Sequence, residues 1–247
     1  NTPRQLLLLE ALELPAPRYG HLALIVGADG GPLSKRAGDL GLRELRAAGH
    51  LPEALLNYLA RLGHAYERDA WMEPAELASG FSTERLGRAP ARFDEAQMLH
   101  WQIEAVQRAA SERLWDWMGA AVRERVPPDR REEFVAAIRP NVRFPAEALF
   151  WAERLFGLDL AGSADSQAVI AAASPEFFAH ALAAYDRHGA DYRPLVDALR
   201  ERTGAKGKGL FMPLRAALTG ETHGPELAHV LRLLPPETVR RRLQARC

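Results

Sequence analysis

Apolar residues recur along this chain at three- and four-residue steps, and proline and glycine cut the rhythm at short intervals. That pattern leaves few folds open besides a stack of short helices. Leu114, Trp115, Met118 and Val122 form one such stripe, within a helix expected over 111–126. Helices expected over 39–48 and 52–62 each start near a proline or an acid and stop at Gly49 and Gly63. A first-turn proline forfeits only an N–H the helix does not use, and glycine past the end turns left-handed at little cost. Thr2 followed by Pro3 reads as a cap and first helical residue, with an apolar helix ending before Pro15 and Pro17. Asp94 and Gln97 have capping-box spacing. More helices are expected over about 175–187, 191–202, 210–218, 225–234 and 237–245. The best strand candidate is the short apolar run 21–26, which enters the turn Asp29-Gly30-Gly31. The fold class expected is mainly α, helical bundles with a small β element near the N-terminus.

Length and composition bound the rest. With 247 residues, 47% of them hydrophobic, the chain can bury a sizeable core and is expected to form two or three domains. Pro127-Pro128, Pro140, Pro145 and the small, polar stretch 160–165 interrupt the helical pattern, and the last is read as a boundary between two helical units. The 32 basic and 32 acidic residues cancel, so any nucleic-acid surface must come from local clustering. A single cysteine, Cys247, rules out an internal disulfide framework and a multi-cysteine zinc site, and suits a reducing cytoplasm. No apolar run reaches the ~18–20 residues of a membrane span, and the first residues lack a signal-peptide layout. A start without methionine reads as a piece of a longer protein.

The basic residues are almost all arginine. Lysine occurs only at Lys35, Lys206 and Lys208, and each stands beside glycines or in a glycine-rich loop. Leu33-Ser34-Lys35-Arg36 follows Gly27-Ala28-Asp29-Gly30-Gly31-Pro32, so a compact ammonium on a flexible stem could clamp a phosphate there. A surface turn with two basic residues is the competing reading. Lys206-Gly207-Lys208-Gly209 would let a nucleotide approach the backbone closely, with Phe211 and Met212 available to pack on a base or to join the core. Arg123, Arg125, Arg130 and Arg131 are interleaved with acids and read as salt-bridged helix faces. Arg139, Asn141 and Arg143 flank a proline turn with no acid until Glu147 and offer donors suited to single-stranded bases. Arg240-Arg241-Arg242 reads as a solvated helix end. The eight histidines lack metal-ligand spacing, and Ser34 has no histidine in its local sequence.

The two lysine segments together resemble bacterial glutamyl-tRNA synthetases. Tyr19-Gly20-His21-Leu22, Leu33-Ser34-Lys35-Arg36 and the run from Gly49-His50-Leu51-Pro52 to Leu62-Gly63 look like the second half of such an enzyme. Lys206 onward, with Leu210-Phe211-Met212-Pro213-Leu214-Arg215-Ala216-Ala217-Leu218-Thr219-Gly220 and Gly224-Pro225-Glu226-Leu227, resembles the family's C-terminal signature. Asn1-Thr2-Pro3-Arg4-Gln5 is similar to a segment of its nucleotide-binding domain. The resemblance implies activation of glutamate by ATP with Mg, then transfer to tRNA-Glu, with tRNA-Gln left open as a second substrate. It makes the tetrapeptide a KMSKS-type loop, with Lys35 catalytic and Ser34, Lys35 and Arg36 binding ATP. The candidates for tRNA contact are Arg139, Asn141, Arg143, Lys206, Lys208 and Arg215. It divides the chain into a catalytic-domain remnant (1–38), a stem-contact domain (39–111) and two anticodon-binding subdomains (112–162 and 163–247). Gly31-Pro32 stands where the family usually has a basic residue. No residues match the family's HIGH motif, so this stretch is expected to bind no cofactor and form no adenylate alone, and to be monomeric with no membrane partner. The rivals are a stand-alone helical tRNA-binding or regulatory protein and a helical scaffold.

Overall fold

The computed structural model describes residues 1–27, 29–31, 41–157 and 160–247. Among them the helices run α1 (Thr2–Ala11), α2 (Leu42–Ala48), α3 (Pro52–Arg61), α4 (Pro74–Gly80), α5 (Glu95–Arg108), α6 (Ser111–Met118), α7 (Ala120–Arg125), α8 (Arg131–Ile138), α9 (Pro145–Phe156), α10 (Ala164–Ala172), α11 (Pro175–His188), α12 (Tyr192–Thr203), α13 (Lys208–Thr219), α14 (Leu227–Leu233) and α15 (Pro236–Gln244). Two short strands, β1 (Ile25–Val26) and β2 (Ala91–Arg92), pair in parallel with Ile25 opposite Ala91. The architecture is mainly α with a small β element near the N-terminus, as the periodicity predicts. No single helix among the described residues is long and apolar enough to cross a membrane.

The residues divide into two compact units, Asn1–Gly41 with Pro52–Trp101, and Leu42–Leu51 with Gln102–Cys247. In the first, Asn57 is fully buried on α3 and pins the following loop. Its amide donates to the Met72 carbonyl (2.9 Å) while its oxygen accepts from the Met72 N–H (3.0 Å). Arg61, one turn on, sits 4.2 Å from the centre of the Trp101 ring. Tyr58 accepts the Asp94 N–H through its hydroxyl (2.8 Å), and the Asp94 carboxylate caps α5 by accepting from the N–H groups of Ala96 and Gln97. By contrast α1 buries none of its residues, and Leu7 and Leu8 are exposed.

The second unit holds the larger core. Leu114, Trp115, Met118 and Val122 are all buried, so the apolar stripe faces inward. The single helix expected over 111–126 is two, however. Gly119 parts α6 from α7 with φ +90°, a backbone no helix interior accommodates and one that glycine adopts freely. Phe134 and Ile138 of α8 and Leu155 of α9 close that cluster, and Phe178, Leu199, Leu210, Leu218 and Leu243 fill the one formed by α11, α12, α13 and α15. Arg242 also lies in this core, its guanidinium donating to the Leu218 carbonyl (2.5 Å). Burial, and then the charge of Arg241, push its pKa down to about 10.

Other expectations shift at their ends. Only residues 25 and 26 of the strand candidate pair, and α2 is seen from Leu42, its expected start at 39–40 lying outside the described residues. Helix α1 includes Thr2, so Asn1 and not Thr2 is the residue before it. Helix α13 begins at Lys208, two residues before the expected 210. Helices α4, α8, α9 and α10 were not legible from periodicity. The last starts within the stretch read as a boundary, where the Ser163 hydroxyl caps it by accepting from the Ser166 N–H (3.2 Å).

Candidate nucleic-acid interface

The proline turn at 139–145 belongs to the second unit and is held from beneath by one fully buried glutamine. Gln102 on α5 accepts the Leu51 N–H (2.9 Å) and donates to the carbonyls of Gly49 (3.2 Å) and Arg143 (2.8 Å). Trp117 adds a bond from its indole N–H to the Gly49 carbonyl (2.7 Å). Gly49 has φ +95°, and a Cβ there would come within 2.2 Å of the Pro145 ring, so glycine is required by conformation and by space. The turn that carries Arg143 is therefore tied through the Gln102 side chain to the distant backbone at Gly49 and Leu51.

The expected contact residues on this turn are already engaged. Arg139 donates through Nη1 to the carbonyls of Gln107 (3.0 Å) and Ala109 (2.7 Å), and through Nη2 to the Ser111 hydroxyl (2.9 Å). It thus satisfies the orphan carbonyls at the end of α5. Asn141 makes a long bond to the Ala137 carbonyl (3.4 Å). Glu147, the acid four residues on, pairs with Arg143: Arg143 Nε donates to Oε1 (3.0 Å). Its second oxygen accepts the N–H groups of Arg143 (2.5 Å) and Phe144 (3.2 Å). Burial alone would raise the Glu147 pKa, but the Arg143 guanidinium and the two N–H groups outweigh it and hold the carboxyl below its ordinary value. The same contact raises Arg143.

Beside the turn lies a groove of about 550 Å³ whose lining includes Asn141, Arg143, Phe150, Trp151, His223 and Gly224. Its far wall comes from the C-terminal segment. Gly224 has φ +127°, and a Cβ there would fall 2.1 Å from the Trp151 ring, so the loop lies flat on α9 only because the residue is glycine. Arg154 and the buried Glu221 form an ion pair, and Arg154 stacks 3.8 Å from the Phe150 ring centre. The Thr219 hydroxyl accepts the Glu221 N–H (3.2 Å), and Arg215 donates to the Pro225 carbonyl. Burial lowers the Arg215 pKa, with Tyr192 and Glu226 partly offsetting it. Arg215 is thus placed within the loop's support. Gln102, Trp151, Arg154 and Glu221 carry the site and were not singled out by sequence, because each draws its meaning from a partner tens of residues away.

Lys206 and Lys208 sit differently. Both are exposed, and neither has an ion-pair partner among the described residues. They flank Gly207, whose φ of +53° turns the chain into α13. By comparison Arg123, Arg125, Arg130 and Arg131 each meet a carboxylate, at Asp116, Glu153, Asp129 and Glu112. Ser34, Lys35 and Arg36 lie outside the described residues.

Two family models match the chain: the catalytic domain of class I tRNA synthetases (E and Q) over residues 1–101, and an anticodon binding domain over residues 163–247. The chain is 52% identical over 244 residues to glutamate–tRNA ligase 2 of Nitrosococcus oceani, covering 99% of this chain and 52% of that protein. It is 44% identical over 247 residues to glutamate–tRNA ligase 2 of Coxiella burnetii, covering 100% of this chain and 53% of that protein. Among solved structures, a glutamate tRNA ligase from Elizabethkingia meningosepticum, in complex with its amino acid, superposes with a TM-score of 0.81 at 22% identity. That likeness covers 98% of this chain and 53% of the other. The chain spans about half the length of the curated relatives it matches.

Proposed function

We propose, since the chain belongs to the glutamate–tRNA ligase family of class I synthetases, that it forms the C-terminal, tRNA-binding half of an enzyme that attaches glutamate to tRNA-Glu. The observation that carries this reading is the order of the two matches, catalytic domain first and anticodon binding domain last, over a chain half the relatives' length. The first unit supports it. A parallel pair of strands with Leu22, Leu24 and Ile25 exposed is an incomplete sheet, because parallel sheets are normally covered on both faces. In this reading residues 1–38 are the tail of the catalytic fold, 39–111 contact the tRNA stem, and 112–162 and 163–247 form the anticodon-binding region.

Arg143, Asn141 and the groove beside them receive unstacked anticodon bases. Arg139 and Arg215 contact the same RNA from the segments they brace, at the end of α5 and at Pro225, and Lys206 and Lys208 hold phosphates as point charges. In the parent enzyme Ser34, Lys35 and Arg36 bind ATP, whose Mg complex supplies the activating phosphates, and Lys35 stabilises charge on them. These residues lie outside the described ones. Alone, this half binds tRNA without forming adenylate. Monomeric action in a reducing cytoplasm is part of the same reading and suits a chain whose one thiol, Cys247, is exposed and free. tRNA-Gln is proposed as a second, weaker ligand.

The test is a titration of tRNA-Glu and tRNA-Gln against the chain at several salt concentrations. Tight binding at low salt that falls steeply with salt is expected, since phosphate contacts release counterions. Replacing Lys206 and Lys208 together by alanine should flatten the log–log slope by about 1–2. Absence of any tRNA binding at low salt would sink the reading.

A further inference from the structure

Helix α3 is apolar on more than one face. Ala54 and Tyr58 are buried in the first unit, yet Leu56 and Leu59, three residues apart, stay 46% and 48% exposed. Both line a groove of about 520 Å³, together with Leu22 from the run into β1, Leu62 just past α3 and Phe81 at the end of α4. Its described lining includes no acid, lysine or arginine. Of the fifteen large apolar side chains exposed among the described residues, twelve belong to the first unit and three to the second, although the second is the longer. Single exposed leucines need no explanation, but a contiguous apolar groove marks a contact surface.

His64, also in the lining, narrows the kind of contact. It is buried at 7% exposure, with its ring 4.5 Å from that of Tyr66 and 5.1 Å from that of Phe81. Its Nε2 accepts the Ser82 N–H (3.1 Å). A ring nitrogen that accepts carries no proton, so the imidazole proton sits on Nδ1. That Nδ1 is shielded from solvent and meets no acceptor among the described residues. Buried donors are almost always satisfied, because leaving one unmet is costly. The Tyr66 hydroxyl is already used, donating to the Leu77 carbonyl (2.9 Å). The groove thus offers an apolar seat and one unmet N–H donor.

The chemistry selects the occupant. RNA does not suit a lining without a cation to meet its phosphates. A second copy set groove to groove about a twofold axis brings donor to donor and leaves both unmet. Polypeptide brings both things needed, apolar side chains and main-chain carbonyls. The groove lies within the stretch matched by the class I catalytic domain, and the relatives extend over about as much chain again outside the matched part. Leu22 also continues into the exposed Leu24 and Ile25 of the incomplete sheet, so one body can cover groove and strands together. We propose that this groove is a socket for the enzyme's other half, a join that rests on the half-enzyme reading above and adds its place and chemistry. A large apolar side chain of that half seats against Leu56, Leu59 and Phe81, and His64 Nδ1–H donates to a neighbouring main-chain carbonyl.

Two arms test it, with the part of the Nitrosococcus oceani ligase that this chain does not match supplied as the other half. In the first, that half is titrated against the chain and its Leu59→Glu variant. Because Leu59 is half exposed, the variant chain alone should melt within about 2 °C of the parent, while its affinity for the other half falls about tenfold to a hundredfold. The Nδ1 proton signal of His64 in nitrogen-15-labelled chain should move downfield as the half is added. In the second arm the two halves are joined in one polypeptide, so the outcome does not depend on the other half folding alone. Leu59→Glu should then lower the melting temperature by about 2–6 °C, a loss the chain alone does not show. Association that neither depends on Leu59 nor moves the His64 signal overturns the socket and leaves the half-enzyme reading standing. Equal melting of the joined protein with and without the substitution overturns it as well. Self-association of the chain that Leu59→Glu abolishes would hand the groove to a second copy and overturn it too. The half-enzyme reading itself falls only with the tRNA titration, which uses neither the variant nor the other half.

Discussion

The two grooves of the second unit draw on the same kinds of residue and use them in opposite ways. Beside the Arg143 turn nearly every cation has an internal partner: Arg139 on three acceptors, Arg143 on Glu147, Arg154 on Glu221, and Arg215 on the Pro225 carbonyl. In the second, a groove of about 620 Å³ lined by the end of α10, the start of α11, the end of α12 and the start of α13, Arg202 and Lys208 have no such partner among the described residues. A cation already hydrogen-bonded shapes a surface; a solvated one is free to meet a ligand's charge. The first groove is thus built for shape and the second for attraction. Arginine fills the first because its planar fork reaches two or three acceptors at once, while lysine suits the second as a flexible point charge.

The comparison can be broken most forcefully at the braced groove. Arg154→Ala leaves the Glu221 carboxylate, itself 6% exposed, without its counter-ion. A loss of about 3–5 kcal/mol in urea unfolding is expected. A loss under 1 kcal/mol would show that the pair does not brace the 221–226 loop. Gly224→Ala comes next. Its Cβ overlaps the Trp151 ring at a φ that non-glycine residues avoid, so unfolding should cost about 2–4 kcal/mol less, with Trp151 fluorescence shifted. The smallest effect belongs to the free cations. The Lys206→Ala and Lys208→Ala double variant should leave stability within about 0.5 kcal/mol, although the same change flattens the salt dependence of tRNA binding. A stability loss as large as that of Arg154→Ala would erase the distinction between the grooves.

Much of this was legible beforehand, and the failures have a common cause. The stripe at Leu114, Trp115, Met118 and Val122 faces the core because helical period alone decides which side of a helix is apolar. Gly49 stops α2 as glycine at a helix end should. The Gly119 break is not legible in the sequence, because a glycine inside an apolar stripe can be tolerated or can end the helix, and only its φ of +90° decides which. Arg139 illustrates the harder limit. By sequence it is an unpaired arginine beside a proline turn; in the fold its guanidinium meets carbonyls some 30 residues earlier. By sequence Arg143 has no acid near it until Glu147, and the first turn of α9 brings that carboxylate back onto it.

Local rules acting over four or five residues determined what the sequence alone could determine: helical class, most boundaries, the buried stripe and the three isolated lysines. Tertiary structure decided which charges remain available. An ion pair or a capped carbonyl depends on where a distant segment comes to rest, as with Glu221 against Arg154 or Gln102 against the Arg143 carbonyl. Lys206 and Lys208 are the complementary case: among the described residues no carboxylate pairs with either at the start of α13.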